Sequence, residues 1–328
     1  MFENLLKEIK DKAKRVDEFI LKNLEGEIKD LYEASKHLVK AGGKRLRPFL
    51  VLTSYELFRS DSEKVIPVAA AVEIFHTFTL IHDDIMDQDE FRRGVPTVHT
   101  VWGVPMAILA GDLLHAKAYE LIAKSELSAP IIKQLLAEFT ETAVVLCEGQ
   151  ALDMSFETRV DVSIEEYFDM IRRKTAWLFR LSCRFGAISA GAGEEYVKAL
   201  TKYGEKIGIA FQMVDDWLGL FGSEEKTGKP VGSDVRESKK TYPILYALEH
   251  ASEEDKKRLL EILSKKEKTE EDVKEALDII KRTGADKATK EMAKKYIEEA
   301  LRAIEILPES TAKKNLISLA KFTLERGF

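Results

Sequence analysis

Apolar residues recur at i, i+3, i+4 and i+7 along almost the whole chain, the spacing that gives an α-helix one apolar face. The pattern predicts helices near residues 1–38, 45–59, 64–88, 104–124, 128–155, 163–190, 194–221, 240–250, 253–265, 269–282, 286–306 and 309–326, and no strand. Breaks fall at "AGGKRLRP", "RRGVP", "FGSEEKTGKPVGSD" and "ILPES", where Gly, Pro and Ser punctuate long helices. None is long enough to separate domains, and no short-period repeat or low-complexity run intervenes, so the expectation is one all-α domain over residues 1–328. Stretches around 70–80, 140–150 and 207–218 are apolar or small on most faces, which places them at the centre of a bundle. The Lys/Glu-rich region 253–306 reads as an outer helical layer.

Composition narrows the class. The 328 residues are 45% hydrophobic, ample for a sizeable core, and the charges nearly cancel to a formal net charge of -6. A nucleic-acid partner held by bulk positive charge is therefore not expected, and any basic cluster must be local. The two cysteines, Cys147 and Cys183, sit in apolar helical stretches and suit buried thiols in a reducing compartment. The N-terminal "MFENLLKEIKDKAKRVDEFI" lacks the continuous apolar core of a signal peptide, and its Lys10, Lys12, Lys14 and Arg15 read as a solvated face. No run reaches the roughly 18 uninterrupted apolar residues of a membrane span. A soluble, cytoplasmic protein is expected.

The chemistry concentrates in "LIHDDIMDQDEFRRGVPTVHTVWG", residues 80–103. On a helix Asp83 and Asp87 share a face at i, i+4 with Asp84 beside them, so three carboxylates meet at a helix C-terminus. Like charges this close, at the negative end of the helix dipole, repel one another unless a cation lies between them. Oxygen-only ligands without a His or Cys at matching spacing favour Mg²⁺ over Zn²⁺. A solvated acidic helix end would look the same if the motif stood alone. It does not: "GIAFQMVDDWLGLFG" ends a second apolar helix with Asp215 and Asp216. In an antiparallel bundle two such ends could face each other and hold several Mg²⁺ ions.

Basic residues accompany both acidic groups. Lys44, Arg45 and Arg47 follow the glycines of "GGKRLRP"; Arg92 and Arg93, Lys174, and Lys226, Lys229, Lys239 and Lys240 supply the rest. Mg²⁺ held by few carboxylates completes its shell with phosphate oxygens while Arg and Lys take the remaining charge, so the pattern implies a polyphosphate. Two diphosphates suit the separate groups better than one. Behind Asp83 the helix carries Thr79, Phe78, Phe75, Ile74 and Val72, a lining suited to a hydrocarbon tail.

In order, "GGKRLRP", "HTFTLIHDDIMDQDEFRRGVPTVH", "GDLLHAKAYE", "EGQALDM", "RRKTAWLF", "AFQMVDDWLGLFG" and "GKPVGSDVRESKKTYP" resemble the motifs of the trans-isoprenyl diphosphate synthases, with archaeal-type geranylgeranyl or farnesyl diphosphate synthases the nearest pattern. The resemblance implies an all-α bundle around a deep cavity, usually a homodimer. It implies that Asp83, Asp84 and Asp87 hold Mg²⁺ on an allylic diphosphate (dimethylallyl, geranyl or farnesyl), with Asp215 and Asp216 supplying ligands for a further ion. Arg92, Lys174, Lys229 and Lys239 would contact that diphosphate, with Thr175 and Gln212 beside the reacting carbons. Lys44, Arg47, His76 and Arg93 would form the pocket for isopentenyl diphosphate. Ionisation of the allylic diphosphate would be followed by alkylation of the isopentenyl double bond and loss of a proton, which the released diphosphate would take.

Product length is then a matter of packing. Phe78, five residues before Asp83, lies about 7.5 Å deeper along the helix axis. With the small Thr79 next to it and no insertion in "DDIMD", it resembles the floor of archaeal geranylgeranyl synthases, and His115 would help close that floor; an ordinary core Phe is the plainer reading. His99 and Trp102 read as packing or capping groups. One departure stands out, since the fifth position of the family's second D-D-x-x-D is Gly219 here; activity is expected to survive with weaker or altered Mg²⁺ dependence. Two rivals remain open and a third does not. The His82-Asp83 pair resembles HD-type metal-dependent phosphohydrolases, which would not require "VDD" or "GGKRLRP". A class I terpene cyclase would need a downstream Ser/Thr and Glu that "DDWLGLFGS" lacks, and Gly219 also admits a catalytically weak regulatory subunit.

Overall fold

The computed structural model describes residues 2–222, 231–325 and 327. The helices are α1 (Glu3–Asn23), α2 (Lys29–Lys40), α3 (Leu46–Glu56), α4 (Ile66–Met86), α5 (Val98–Trp102), α6 (Val104–Ala123), α7 (Ala129–Thr158), α8 (Ile164–Ile171), α9 (Trp177–Ser189) and α10 (Glu194–Phe221). They continue as α11 (Ser233–Arg236), α12 (Tyr242–His250), α13 (Glu253–Ser264), α14 (Glu270–Arg282), α15 (Ala285–Ala303) and α16 (Thr311–Glu325). The fold is all-α, as the periodicity implies. Among the described residues strand is confined to one hairpin, β1 (Phe91–Arg92) and β2 (Val95–Pro96), too short to show a two-residue period. Its turn residues Arg93 and Gly94 have φ of 54° and 77°, the left-handed pair that matches strand twist in a two-residue hairpin.

The chain forms two compact units. Unit 1 comprises the residues up to Thr140, Leu181–Thr201 and Ile306–Ser318; unit 2 comprises Glu141–Arg180, Lys202–Glu305 and the residues from Leu319. In unit 1, α4 packs against α1, α2, α3, α5 and α6. Its counterpart α6 buries Ala107, Ala110, Gly111, Leu114 and Ala118, a stripe of mostly small side chains that lets the two helices approach closely. By length and composition the segment Ser62–Met86 could cross a membrane, but 67% of its most apolar window is buried inside the protein, as in a core helix. Pro67 sits in the first turn of α4, where no helical N–H is needed, so the helix starts cleanly and carries its acids to the far end.

Two basic residues turn inward against expectation, Lys12 of the expected solvated face and Arg45 of the expected phosphate-binding group. Lys12 is buried between Glu8 at 2.7 Å and Glu56 at 3.0 Å instead of lying on a solvated face. Arg45, at φ 46°, is buried between Asp17 at 2.7 Å and Glu73 at 2.9 Å and donates to the Val39 and Gly42 carbonyls, satisfying the end of α2. It is a structural arginine, whereas its neighbour Lys44 is exposed.

Among the described residues, unit 2 shows two apolar clusters. One joins Leu220, Val235 and Ile244 to inward residues of α13 and α14; the other gathers Tyr167, Met170, Ile209, Met213 and Tyr242. Region 253–306 is amphipathic as expected, with Leu259, Ile262, Ile279 and Ile297 inward and the Lys/Glu residues mostly outward. Stretch 140–150 departs from expectation, because Val144 is exposed. Cys183 is buried, and burial pushes its thiol up to about 12, but Cys147 is exposed rather than buried. His99 and Trp102 pack as anticipated, His99 against the Thr97 hydroxyl at 3.2 Å and Trp102 edge-on to His37 with ring centroids 5.0 Å apart.

Candidate active site

In unit 1 the three carboxylates at the end of α4 have different surroundings. Asp84 is buried, Asp83 is half-buried and Asp87, which caps the helix, is exposed. The hairpin folds back so that Arg92 Nε donates to Asp84 Oδ1, with Arg92 Nη2 3.4 Å from Asp89 Oδ2. Asp84 Oδ2 is buried and has no hydrogen-bond partner, a costly arrangement for a carboxylate unless a cation approaches that oxygen. Burial is the main force that pushes the Asp84 carboxyl up to about 6, with Asp89 and Asp83 adding to it and Arg92 opposing.

About two turns before Asp83 on the same helix, His76 Nε2 lies 3.0 Å from Arg47 Nη1. Arginine only donates, so Nε2 accepts and the neutral ring carries its proton on Nδ1. Burial, together with Arg47, Arg93, Arg92 and Arg45, holds His76 well below its ordinary range and keeps it neutral. Arg93 Nη1 donates to the carbonyls of Leu38, at 3.1 Å, and Gly42. Arg47, His76, Arg92 and Arg93 thus gather around α4 and the hairpin.

One to two turns back along α4 the surroundings become aromatic. Phe78 lies 4.9 Å from His115 and 5.3 Å from Phe75 between ring centroids, and Phe75 lies 4.8 Å from Phe139. His115 contacts Tyr119 at 5.2 Å, and burial pulls its imidazole down, favouring the neutral ring. Thr79 turns its hydroxyl onto the His76 carbonyl at 2.8 Å, hiding its polar atom within its own helix.

Unit 2 holds the second group. Asp216 is buried and accepts from the Tyr167 hydroxyl on Oδ2 and from Gln212 Nε2 on Oδ1 at 2.9 Å. Gln212 Oε1 accepts in turn from the Thr175 hydroxyl at 2.9 Å, so Thr175, Gln212, Asp216 and Tyr167 form one chain of hydrogen bonds. Asp215, on the next position of the helix, is half-buried. Between α8 and α9 the segment Arg172–Ala176 forms a π turn, closed by the Trp177 N–H on the Arg172 carbonyl, and both Lys174 and Thr175 lie in it. Lys174 Nζ is 2.6 Å from Asp153, and a Cβ at Gly149 would lie 2.5 Å from the Lys174 nitrogen, so α7 reaches this turn only because residue 149 has no side chain. Lys239 pairs with Glu157 at 3.3 Å. Lys229 lies outside the described residues.

Nothing in the sequence spacing marks Asp153 and Glu157, although Asp153 stands in "EGQALDM" one turn past Gly149. Tyr167 carries no motif and was detectable only through its contact. Among the described residues no three His, Cys, Asp or Glu side chains converge tightly enough to enclose an ion by themselves. The donor set, carboxylates only with one buried oxygen unmatched on Asp84, suits Mg²⁺ that takes the rest of its shell from phosphate and water.

Burial also pushes Asp216 up to about 7, the bonds from Tyr167 and Gln212 opposing. Both carboxyls hold a proton more firmly in the folded protein than their ordinary value of 3.8 allows when unfolded. The stability they confer is therefore complete below about pH 4 and is lost as pH rises through about 6 and 7. With divalent cations chelated, the melting temperature should fall across that window, and Asp216→Asn should flatten the fall. Thermal melts at stepped pH check this, and an equal slope in the variant would count against it.

Residues 28–280 match the family described as "Polyprenyl synthetase". The geranylgeranyl diphosphate synthase of Sulfolobus acidocaldarius is 44% identical over 99% of this chain and 98% of its own length. The solved geranylgeranyl pyrophosphate synthetase of Pyrococcus horikoshii superposes with a TM-score of 0.94 at 47% identity, covering 99% of each chain. A polyprenyl synthase of Caulobacter crescentus, solved with calcium and isoprenyl diphosphate, gives a TM-score of 0.91 at 32% identity over 100% of this chain and 98% of its own. Carboxylate-ended helices, gathered arginines and an aromatic bed on α4 accompany likeness over the whole length, and the chain belongs to the polyprenyl synthetase family.

Proposed function

We propose that this trans-prenyltransferase condenses isopentenyl diphosphate with the allylic diphosphates dimethylallyl, geranyl and farnesyl in turn, with geranylgeranyl diphosphate as its main product. The observation that carries the reading is α4 itself. It bears the carboxylates at one end, where Arg92 of the hairpin meets Asp84, and the Phe75 and Phe78 rings a turn or two further in, where His115 of α6 meets Phe78, so one helix carries both a charged head site and an apolar tail site. Relatives bearing that product name, at 44–48% identity, support it.

Asp83, Asp84 and Asp87, with Asp215 and Asp216, hold Mg²⁺. When bound, the ions neutralise the charge that develops on the departing diphosphate. Arg92, Lys174, Lys229 and Lys239 take the remaining charge of that group. Thr175 and Gln212, fixed by the chain that ends on Asp216, orient oxygen atoms toward the reacting carbons without offering a strong base. Lys44, Arg47 and Arg93 hold isopentenyl diphosphate, and neutral His76 positions Arg47 instead of repelling it. The proton lost after alkylation goes to the released diphosphate.

The protein works in the cytoplasm as a homodimer of single-domain subunits. Val101, Val104, Ile108 and Leu109, near one another in sequence on α5 and α6 of unit 1, leave apolar side chains exposed that a second copy would cover. The hydrolase alternative is not favoured, since His82 is spent on the Ile108 carbonyl at 3.2 Å and lies 4.0 Å from Asp112. The regulatory-subunit alternative is not favoured either, because the first acidic group is complete.

Incubating the purified protein with Mg²⁺, isopentenyl diphosphate and each allylic diphosphate, then measuring chain length, tests the proposal. Accumulation of geranylgeranyl diphosphate from every starter is expected. No elongation from any starter would overturn the activity, and a longer main product would overturn the assigned length.

A further inference from the structure

Gly219 occupies the fifth position counted from Asp215, where the second acidic motif calls for a carboxylate. A Cβ built on Gly219 would lie 2.5 Å from Asp234 Oδ1 and 2.8 Å from both Cγ and Oδ2. The volume in which a side chain at 219 would begin is therefore filled by a carboxylate from another segment. The approach is pinned on both sides. Ser233 Oγ donates to the Gly219 carbonyl at 3.2 Å, and Asp234 is the second residue of α11, which starts immediately after Gly232 at φ 77°.

Residues 215 and 219 are four apart on α10, so they share one helix face with about 6 Å between them along the axis. A carboxylate at the 219 side-chain position thus stands next to Asp215 on the face an aspartate there would occupy. The negative charge of Asp234 is also felt at Tyr167, whose hydroxyl it helps to keep protonated and which donates to Asp216.

We infer that Asp234 supplies the third carboxylate of the second acidic group, and that residue 219 is glycine because any side chain there would displace it. The departure from D-D-x-x-D is a relocation of the carboxylate, not a loss. The inference rests on the reading of Asp215 and Asp216 as carriers of Mg²⁺, and it goes further by assigning Asp234 and Gly219 as a coupled pair.

The test is a calorimetric titration of the full chain with inorganic pyrophosphate at stepped Mg²⁺ concentrations, which reads binding without turnover. Asp234→Asn should raise the Mg²⁺ concentration needed for half-maximal pyrophosphate binding by about tenfold or more. Gly219→Ala, which leaves Asp234 in the chain but takes its space, should do the same. Moving the carboxylate back, with Gly219→Asp and Asp234→Ala together, should recover most of the parent behaviour. An unchanged Mg²⁺ midpoint in Asp234→Asn overturns the inference, as does loss in both single variants without recovery in the double. If the parent itself binds no pyrophosphate with Mg²⁺, the proposed function falls as well, which separates the two failures.

Discussion

Replacing Asp84 with Asn is expected to lower turnover by about a thousandfold while leaving the fold intact, the size of loss seen when one preorganised charge partner of a transition state is removed. The side chain keeps its shape, so the packing of α4 is undisturbed. What changes is charge: Asp84 Oδ1 is held by Arg92 and Oδ2 is buried and unmatched, and an amide at that position neither balances the guanidinium nor attracts a divalent ion. Because desolvation already holds the carboxyl near 6, removing its charge should raise rather than lower the melting temperature without metal. A steady-state assay with saturating Mg²⁺ alongside a melt in chelator reads both effects. Turnover within tenfold of the parent would show that Asp84 is only a partner for Arg92.

Replacing Phe78 with Ala is expected to shift the main product to chains one or more isoprene units longer. The ring is wedged between Phe75 and His115, 5.3 and 4.9 Å away between centroids, with His82 on its other side at 4.9 Å. Removing it opens space along α4 that the stiff neighbouring rings cannot refill. Phe78 is half-buried, so the cost to stability should be less than the roughly 3–5 kcal/mol of a fully buried Phe. Chromatography of the dephosphorylated products measures the shift. An unchanged product in a folded variant would make Phe78 an ordinary core residue and move the floor to Phe139 or deeper.

Much of this architecture can be read along the sequence because amphipathic helices declare themselves through a 3.6-residue period, and α4 and α10 do so strongly. The acidic ends of both helices were legible for the same reason: an Asp pair following an apolar run at helical spacing is locally visible. Burial of charge was not legible. Lys12 looks like a surface residue and Arg45 like a phosphate-binding cation, and only their distant partners Glu56 and Glu73 turn them inward. Nor could spacing separate Asp84, buried, from Asp87, exposed, because the hairpin that covers one of them is only the six residues Phe91–Pro96.

The hydrogen-bond chain through Gln212 joins residues 37 and 49 positions apart, which no local pattern encodes. Gly219 misled in a different way. Read along the chain it is a missing acid; in space the position is taken by Asp234, fifteen residues later, in "GKPVGSDVRESKKTYP", where nothing in the local spacing ties that residue to position 219. The π turn was also invisible, since residues 163–190 carry one continuous apolar pattern and an extra residue in a single turn hardly disturbs it.

That turn marks a boundary for anyone seeking to harden the protein against heat. Deleting one residue from Arg172–Ala176 would restore regular α-helical register from α8 into α9 and strengthen the backbone locally. It would also remove the widened turn that sets where Lys174 and Thr175 project, carrying Thr175 away from Gln212 and Lys174 away from Asp153. Robustness gained at this point comes directly out of the alignment of the two side chains, so consensus or helix-propensity redesign belongs on the outward faces of α13 to α15.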